Sequence, residues 1–446
     1  MSTDSSIGLE RRFFLRVAIL FIAFISLPVH KDFYQTLFTI SWSSLIPDLF
    51  NLLTYLPHYF GKLNGFYDWG LILFIALIGA FVWLKAEKGR PEALREFRYY
   101  YYLRIFVRFK LAAILLVAGF IKLFPLFAPQ LSLSHLNTAY GQFEDWKHLL
   151  LSLSAAPAYL VFLGVVELLA ASLLLFRKTS FLAVVFIIPF YGNAFLADVA
   201  YQGPTYFASA YVVLLTLPIF LYDVQRLGSL VLYLKPTNPS TNRVNWSDSS
   251  LFLWRQVGKL VFAIVFFGLV GIRAYQIHSN ANDSLHYPQH AGLPAVEGKY
   301  VADEFVWNGD TLQYSPTDTI RWKDVVFEKW NTLSIRREAG NVHHAVSEGL
   351  FQRATQKRDY EHTHTGDRLY YRYTVKGDSL HLKNPNDQYT QDVYRLHIER
   401  PDSAHIRLSG ANLRGDSLSV SLTKTNKKYL LEEIKKSGRR SLGYKL

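Results

Sequence analysis

Residues 155–176 form an unbroken apolar run with Pro157 near its start, Arg177-Lys178 just past its end and one charge, Glu167, near its middle. Such a run predicts a membrane-spanning helix, because about 20 apolar residues cross the hydrocarbon core of a bilayer. An acid at the midpoint costs roughly 2.5–3.5 kcal/mol on insertion scales, so it faces a partner or a wet cavity and not lipid. Two other apolar stretches carry groups able to meet it, Lys122 and Asn193. The chain is therefore expected to fold as a polytopic membrane bundle with a buried polar cluster, and that cluster is the expected seat of function.

Half of the 446 residues are apolar and 16% are aromatic, and the excess lies before about residue 275. Seven spans are expected there, at about 13–29, 67–85, 105–127, 155–176, 180–200, 205–223 and 254–273. Lys and Arg sort their connections into two classes. Arg11, Arg12 and Arg16 flank the first span, and Lys85, Lys88, Arg90, Arg95, Arg98, Arg104, Arg108 and Lys110 crowd the second-to-third connection. Arg177-Lys178 follow the fourth span, and Arg226, Lys235, Arg243 and Arg255 lie between the sixth and seventh. The alternate connections are poor in such residues: 30–66 has Lys31 and Lys62, 128–154 has Lys147, and 201–204 has none. This bias puts the N-terminus in the cytoplasm and everything after Ala274 outside it. The lipid bilayer is thus one expected partner, and much of the net charge of +13 lies beside the spans, where it sets topology and meets anionic lipid. A basic stripe on a soluble fold is missing, so no nucleic-acid partner is expected. No small-x-small cleavage site follows the first apolar run, which is read as a retained helix.

In the loop 30–66, Phe33-Tyr34, Leu37-Phe38, Leu45-Ile46, Leu49-Phe50 and Leu53 recur at helical spacing, which predicts an interfacial amphipathic helix. Pro47 and Asp48 argue against a re-entrant or eighth span. Beyond a polar stretch the period becomes alternating. Strands are expected from Gly298 and at about 319–327, 332–337, 369–375, 379–383, 392–399, 404–409 and 417–423. Asn308-Gly309-Asp310, Lys376-Gly377-Asp378 and Arg414-Gly415-Asp416 repeat a Gly-Asp turn between strands, and the last is read as a hairpin and not as an adhesion motif. The expected fold is an α-helical polytopic membrane bundle of about seven helices, followed by an all-β antiparallel barrel or sandwich of lipocalin type. It divides into two helices with an extracytoplasmic interfacial helix (1–99), a four-helix core (100–227), a cytoplasmic loop with the seventh helix (228–275), a linker (276–296), a β domain (297–426) and a basic tail (427–446).

At ~1.5 Å per helical residue, Glu167 lies ~18 Å in from the outer end of its span, near the midplane. Lys122 lies ~20 Å from Phe109 and Asn193 ~20 Å from Ser180, so a Lys122–Glu167 pair with Asn193 as a hydrogen-bond partner is allowed. Gly164, Ala170 and Ala171 make the Glu167 face small-sided, as helix-packing faces are, and Gly119, Gly164 and Gly192 are read as helix-packing positions. Pro189 and Gly192 flank Asn193 and permit local unwinding. Three readings of the cluster stand: helix registration, a proton or quinone site, and a substrate pathway.

Gly119-Phe120-Ile121-Lys122-Leu123 resembles the G-x-x-K-L signature of the DoxX-like membrane proteins. Glu167 followed by Leu173-Leu174-Leu175-Phe176-Arg177-Lys178-Thr179 resembles that family's pattern of an acid, a leucine run and Arg-x-Thr, and Asn193 stands at the family's third-helix asparagine. The likeness covers about 100–227. The whole chain also resembles a longer form from Bacteroidetes-type bacteria, with two leading helices and a trailing periplasmic β domain. There a Gly-Ser-Gly-Asp-Thr motif opens the second span; here Asn64-Gly65-Phe66-Tyr67-Asp68-Trp69 keeps one Gly and the Asp. The resemblance implies a bacterial inner-membrane protein with a periplasmic C-terminal domain. It also implies a quinone- or redox-associated subunit, like the small subunit of thiosulfate:quinone oxidoreductase, with quinone as cofactor and a redox protein as partner.

The chain has no cysteine, which excludes disulfides, thiolate metal sites, lipoprotein anchoring and dithiol relays. Among fourteen histidines, His362 and His364 would share a face if on a strand, with His343-His344 approaching from another, but the spacing matches no metal motif. No nucleophile elbow, P-loop or dinucleotide fingerprint is present. Two function classes remain. One is a redox subunit binding quinone near Lys122, Glu167, Asn193 and Tyr191. The other is a non-enzymatic envelope anchor presenting its β domain to a partner. A small-solute transporter ranks third, since no inverted repeat is evident.

Overall fold

A computed structural model of the chain describes residues 9–60, 65–87, 93–236, 249–280, 285–337, 350–353, 357–386, 389 and 391–429. Asn64, Lys88, Arg90, Arg243, the His343-His344 pair and the tail beyond Tyr429 lie outside the described residues. The helices are α1 (Leu9–Ile25), α2 (Lys31–Phe38), α3 (Leu45–Leu53), α4 (Phe66–Ala86), α5 (Ala93–Leu123), α6 (Leu133–Leu136), α7 (Asp145–Ala155), α8 (Pro157–Leu175), α9 (Ser180–Ala200), α10 (Tyr206–Val231), α11 (Ser249–Ala263) and α12 (Val270–Ser279). A π-helical turn, Ile264–Leu269, joins the last two. The chain divides into two compact units, Met1–Phe127 with Ala158–Ser279 and Ala128–Pro157 with Asn280–Leu446.

The first unit is that of a membrane-embedded protein. Among the described residues, five helical segments are long and apolar enough to cross a bilayer: Phe66–Ala86, Pro157–Leu175, Ser180–Ala200, Tyr206–Val224 and Leu253–Ser279. Seven were expected. The difference lies in α1, which has 17 residues, and in α5, whose apolar half carries Arg108, Lys110 and Lys122. Phe74, Phe81, Phe162, Leu169, Phe186 and Leu260 project outward from this unit, an apolar surface of the kind that lipid covers. Its centre is α5, buried without a break from Leu111 to Ala118. A helix apolar and buried all round is one that its neighbours enclose.

The interfacial helix expected over 30–66 is replaced by two short helices. One of them, α3, packs on α5 and α12 with Ile46 fully buried. Pro47 is tolerated because it falls in the first turn, where its missing N–H has no acceptor to satisfy. Asp48 is buried and accepts the Ser44 hydroxyl at 2.6 Å. Asp68, the acid kept from the family-like motif, has a local task at the start of α4. Its carboxylate accepts the amides of Tyr59 (2.6 Å), Phe60 (3.1 Å) and Gly65 (3.0 Å), closing the helix N-terminus.

In the second unit the strands are β1 (Gly298–Trp307), β2 (Asp310–Thr311), β3 (Trp322–Phe327), β4 (Thr332–Arg337), β5 (Leu369–Lys376), β6 (Ser379–Lys383), β7 (Val393–Glu399), β8 (His405–Asn412) and β9 (Ser417–Lys424). β1 and β3 to β9 pair antiparallel in chain order and β9 returns to β1, so the sheet is a closed eight-stranded barrel and not a sandwich. Closure removes the open edges that would otherwise invite pairing with another chain. Inward positions fill the barrel with Tyr300, Phe305, Trp322, Phe327, Tyr371 and Leu408 among others. The Gly-Asp repeats are turns: Asn308 and Gly309 both take positive φ (50° and 93°), as a primed two-residue hairpin requires, and Arg414-Gly415-Asp416 joins β8 to β9.

The described parts of 276–296, the expected linker, are structured. Helix α12 runs on to Ser279, and Leu285, His286, Tyr287, Leu293 and Val296 are buried in the barrel unit, where Tyr287 stacks on Trp330 at 4.2 Å. The loop 128–154, expected within the 100–227 core, also belongs to the barrel unit, which takes in Ala128–Pro157.

Candidate functional site

Helix α8 buries one face, Leu160, Gly164, Glu167, Ala170, Ala171 and Leu174, against the bundle. Small residues there let α5 approach closely: a Cβ at Gly164 would stand 2.4 Å from the Leu123 amide nitrogen, and one at Gly119 would stand 2.9 Å from the Leu168 side chain. At the far end Arg108 reaches from α5 to the open carbonyls of α8, donating to Leu174 at 3.0 and 2.8 Å and to Leu175 at 3.0 Å. These contacts fix the register that sets Lys122 opposite Glu167.

The Lys122 Nζ lies 2.5 Å from Glu167 Oε1, and the Tyr191 hydroxyl donates to the same oxygen at 2.8 Å. Glu167 is 1% exposed, and its second oxygen, Oε2, is buried without a hydrogen-bond partner among the described residues. A carboxylate with one oxygen doubly engaged and the other idle can accept one more proton or donor without breaking what it has. The ammonium also faces the rings of Phe127 and Tyr191, at 5.3 and 6.0 Å.

Asn193 does not join this cluster. It is exposed on α9, and the reason is angular: at 3.6 residues per turn it points about 200° away from Tyr191. Tyr191 and Asn193 cannot share one face. Gly192 is no packing contact either, since nothing lies within 4 Å of a Cβ placed there. Helix α9 continues through Pro189 and Gly192, so the expected unwinding is missing. The residue that sequence reading overlooked is Asp198, seven positions and two turns beyond Tyr191 and hence on its face. Asp198 is buried, accepts the hydroxyls of Thr205 (3.0 Å) and Ser209 (3.1 Å), and lies within electrostatic reach of Lys122. Spacing from Tyr191 was the signal that could have found it.

A second polar network lies in the barrel unit, on the outer face of β3 to β5. Inward residues of these strands alternate with Asp324, Glu328, Thr332, Ser334, Arg368 and Arg372, all but Arg372 fully buried. Segment 128–157 and residues around Tyr360 supply their partners. The Ser134 hydroxyl and amide both donate to Glu328 Oε1, at 2.6 and 2.7 Å, and the Leu133 amide donates to Oε2 at 3.2 Å. Arg368 donates to Asp324 at 2.7 Å and to the Ser334 hydroxyl at 2.9 Å. Glu361 pairs with Arg372 and accepts from Trp330. Lys147 is fully buried, donates to the Tyr360 carbonyl and lies 3.5 Å from the centre of the Tyr360 ring. Burial, aided by the Glu361 charge, pushes Glu328 up to about 7; burial brings Lys147 down to about 7 against the pull of Glu361 and Asp359.

His362 and His364 sit in the turn before β5 and not on a strand. Burial lowers His362 to about 3, and His364 Nδ1 pairs with Glu144. No group of three or more His, Cys, Asp or Glu able to hold a metal occurs among the described residues. No protein-family model, curated protein or solved structure matches the chain.

Proposed function

We propose that the chain is a DoxX-like inner-membrane protein that acts as a quinone- or redox-associated subunit. In this reading it has seven spans, adding α1 and α5 to the five apolar helices. Its DoxX-like core is α5, α8, α9 and α10, and a lipocalin-like barrel lies in the periplasm. The observation that carries it is the idle, buried Oε2 of Glu167 beside an ammonium and a phenol. Such a group can give up the proton that a quinone gains on reduction, or take the proton that a quinol loses on oxidation, with Lys122 balancing the carboxylate and Tyr191 orienting it. A partner protein would supply the electrons, since the chain has no cysteine for a redox pair.

A second reading, an envelope scaffold that presents the barrel to a partner, draws support from segment 128–157. A covalent connection between two membrane helices forms an integral part of the barrel unit. Glu167→Gln separates the two. Loss of quinone reduction in membranes at normal protein level supports the redox reading. Unchanged quinone reduction, or loss of folded protein alone, supports the scaffold.

A further inference from the structure

Several charged groups of the helical unit are answered from within it. Lys122 has Glu167, Arg16 has Glu87, Arg104 has Asp223 at 3.9 Å, and Arg108 has the α8 carbonyls. Lys110, in the apolar half of α5, has neither a carboxylate nor a hydrogen-bond acceptor among the described residues. Its ammonium meets two aromatic faces, Tyr211 at 5.1 Å and Phe106 at 5.9 Å. Ring faces stabilise a cation by about 0.5–2 kcal/mol and leave its net charge uncompensated. An ammonium so placed retains a strong preference for an anionic oxygen.

Beside it is a cavity of about 400 Å³ between α5 and the segment carrying α2 and α3, with Lys110, Ser26, Phe33, Leu53, Tyr55 and Phe106 in its wall. That volume falls within the roughly 300–1,000 Å³ of small-molecule sites. Its lining is apolar and aromatic with one cation, and no acid lines it. The cavity is distinct from the Glu167 cluster, since Lys110 and Lys122 are about 18 Å apart along α5.

We propose that this cavity binds an acidic amphiphile, whose carboxylate or phosphate head pairs with Lys110 while its hydrocarbon tail lies against Phe33, Leu53 and Phe106. The charge selects the head, and the apolar wall selects the tail. The same head chemistry can come from a free fatty acid or from an anionic phospholipid.

The test uses the full chain, purified in mild detergent and stripped of lipid by exchange. Binding is measured for oleate, for phosphatidylglycerol and for oleyl alcohol, which shares the tail of oleate and lacks its charge. Saturable binding of oleate or phosphatidylglycerol, with oleyl alcohol weaker by at least about tenfold, is expected, and which acid binds tighter names the source. Lys110→Gln should weaken the acid by about tenfold or more, Lys110→Arg should retain it, and Leu53→Trp should block it by filling the cavity. Should Lys110→Gln not yield folded protein, the arginine and tryptophan variants carry the test. Equal binding of oleyl alcohol and oleate, saturable binding of neither acid, or full acid binding by Lys110→Gln or Leu53→Trp overturns the proposal.

Discussion

Ser134 and Glu328, 194 positions apart in the chain, are joined by a 2.6 Å hydrogen bond in which the serine hydroxyl donates to the carboxylate. The bond ties the segment between α5 and α8 to the outer wall of the barrel. Glu328 holds three donors from that segment, yet with water excluded and Glu361 nearby its carboxyl is still pushed up to about 7. Segment and barrel wall are therefore linked by a contact that depends on pH.

Glu328 is raised from 4.5 to about 7, so the folded unit binds its proton more tightly than the unfolded chain does. Stability is then highest below the unfolded value and falls as pH rises from about 4.5 to about 7. Between pH 5 and 7 the fall is on the order of 2 kcal/mol. Lys147, lowered from 10.5 to about 7, acts oppositely: the folded unit sheds that proton early, so stability recovers as pH rises from about 7 towards 10.5. Unfolding of the full chain, followed by tryptophan fluorescence across this range, should show a minimum near neutrality, and Glu328→Gln should flatten its acid limb.

Removing Asp324 strands Arg368, which is buried in the same network. Asp324→Ala should destabilise the barrel unit by about 3–5 kcal/mol, because an uncompensated buried charge remains. Adding Arg368→Met should recover most of that loss. Chemical unfolding of the single and double variants checks it, and a double variant no better than the single would refute it.

On α9 two neighbouring polar residues should behave differently. Tyr191→Phe removes a hydrogen bond to a charged acceptor and should cost about 1.5–3 kcal/mol of stability in detergent. Asn193→Ala lies on the exposed face and should stay within about 0.5 kcal/mol of the parent. The difference in thermal midpoint between the two variants is the measurement.

Gly164→Ala would place a carbon 2.4 Å from the backbone of α5, and backbone cannot yield as a side chain can. A loss of about 1–3 kcal/mol in thermal stability is expected. Gly192→Ala meets open space and, by replacing a mid-helix glycine, should be neutral or gain up to about 1 kcal/mol.

Much of the barrel could be read directly. Strands drawn at 332–337 and 379–383 coincide with β4 and β6, because a two-residue period is a local signal, sharpened before β6 by the Gly377-Asp378 turn. Lys122 and Glu167 were also within reach, since a charge inside an apolar helix demands a partner and helical rise restricts the choice. Which face of α9 turns inward was not legible: Tyr191, Asn193 and Asp198 are each polar, and only packing against α8 and α10 chose among them. The polar face of β3 to β5 was equally ambiguous. Alternation says that one side differs from the other, and it does not say whether that side meets water or a distant polar segment.

By itself, then, the sequence determined the apolar helices, the change to strand period near Gly298 and the need for a counter-ion to Glu167, all consequences of local spacing and the cost of unpaired charge in lipid. Tertiary structure alone decided that 128–157 belongs to the barrel unit, that Asp198 and not Asn193 shares the Tyr191 face, and that Lys110 borders a cavity without an acid. Those outcomes depend on which surfaces meet in the folded chain, and no short stretch of chain encodes its own partner elsewhere.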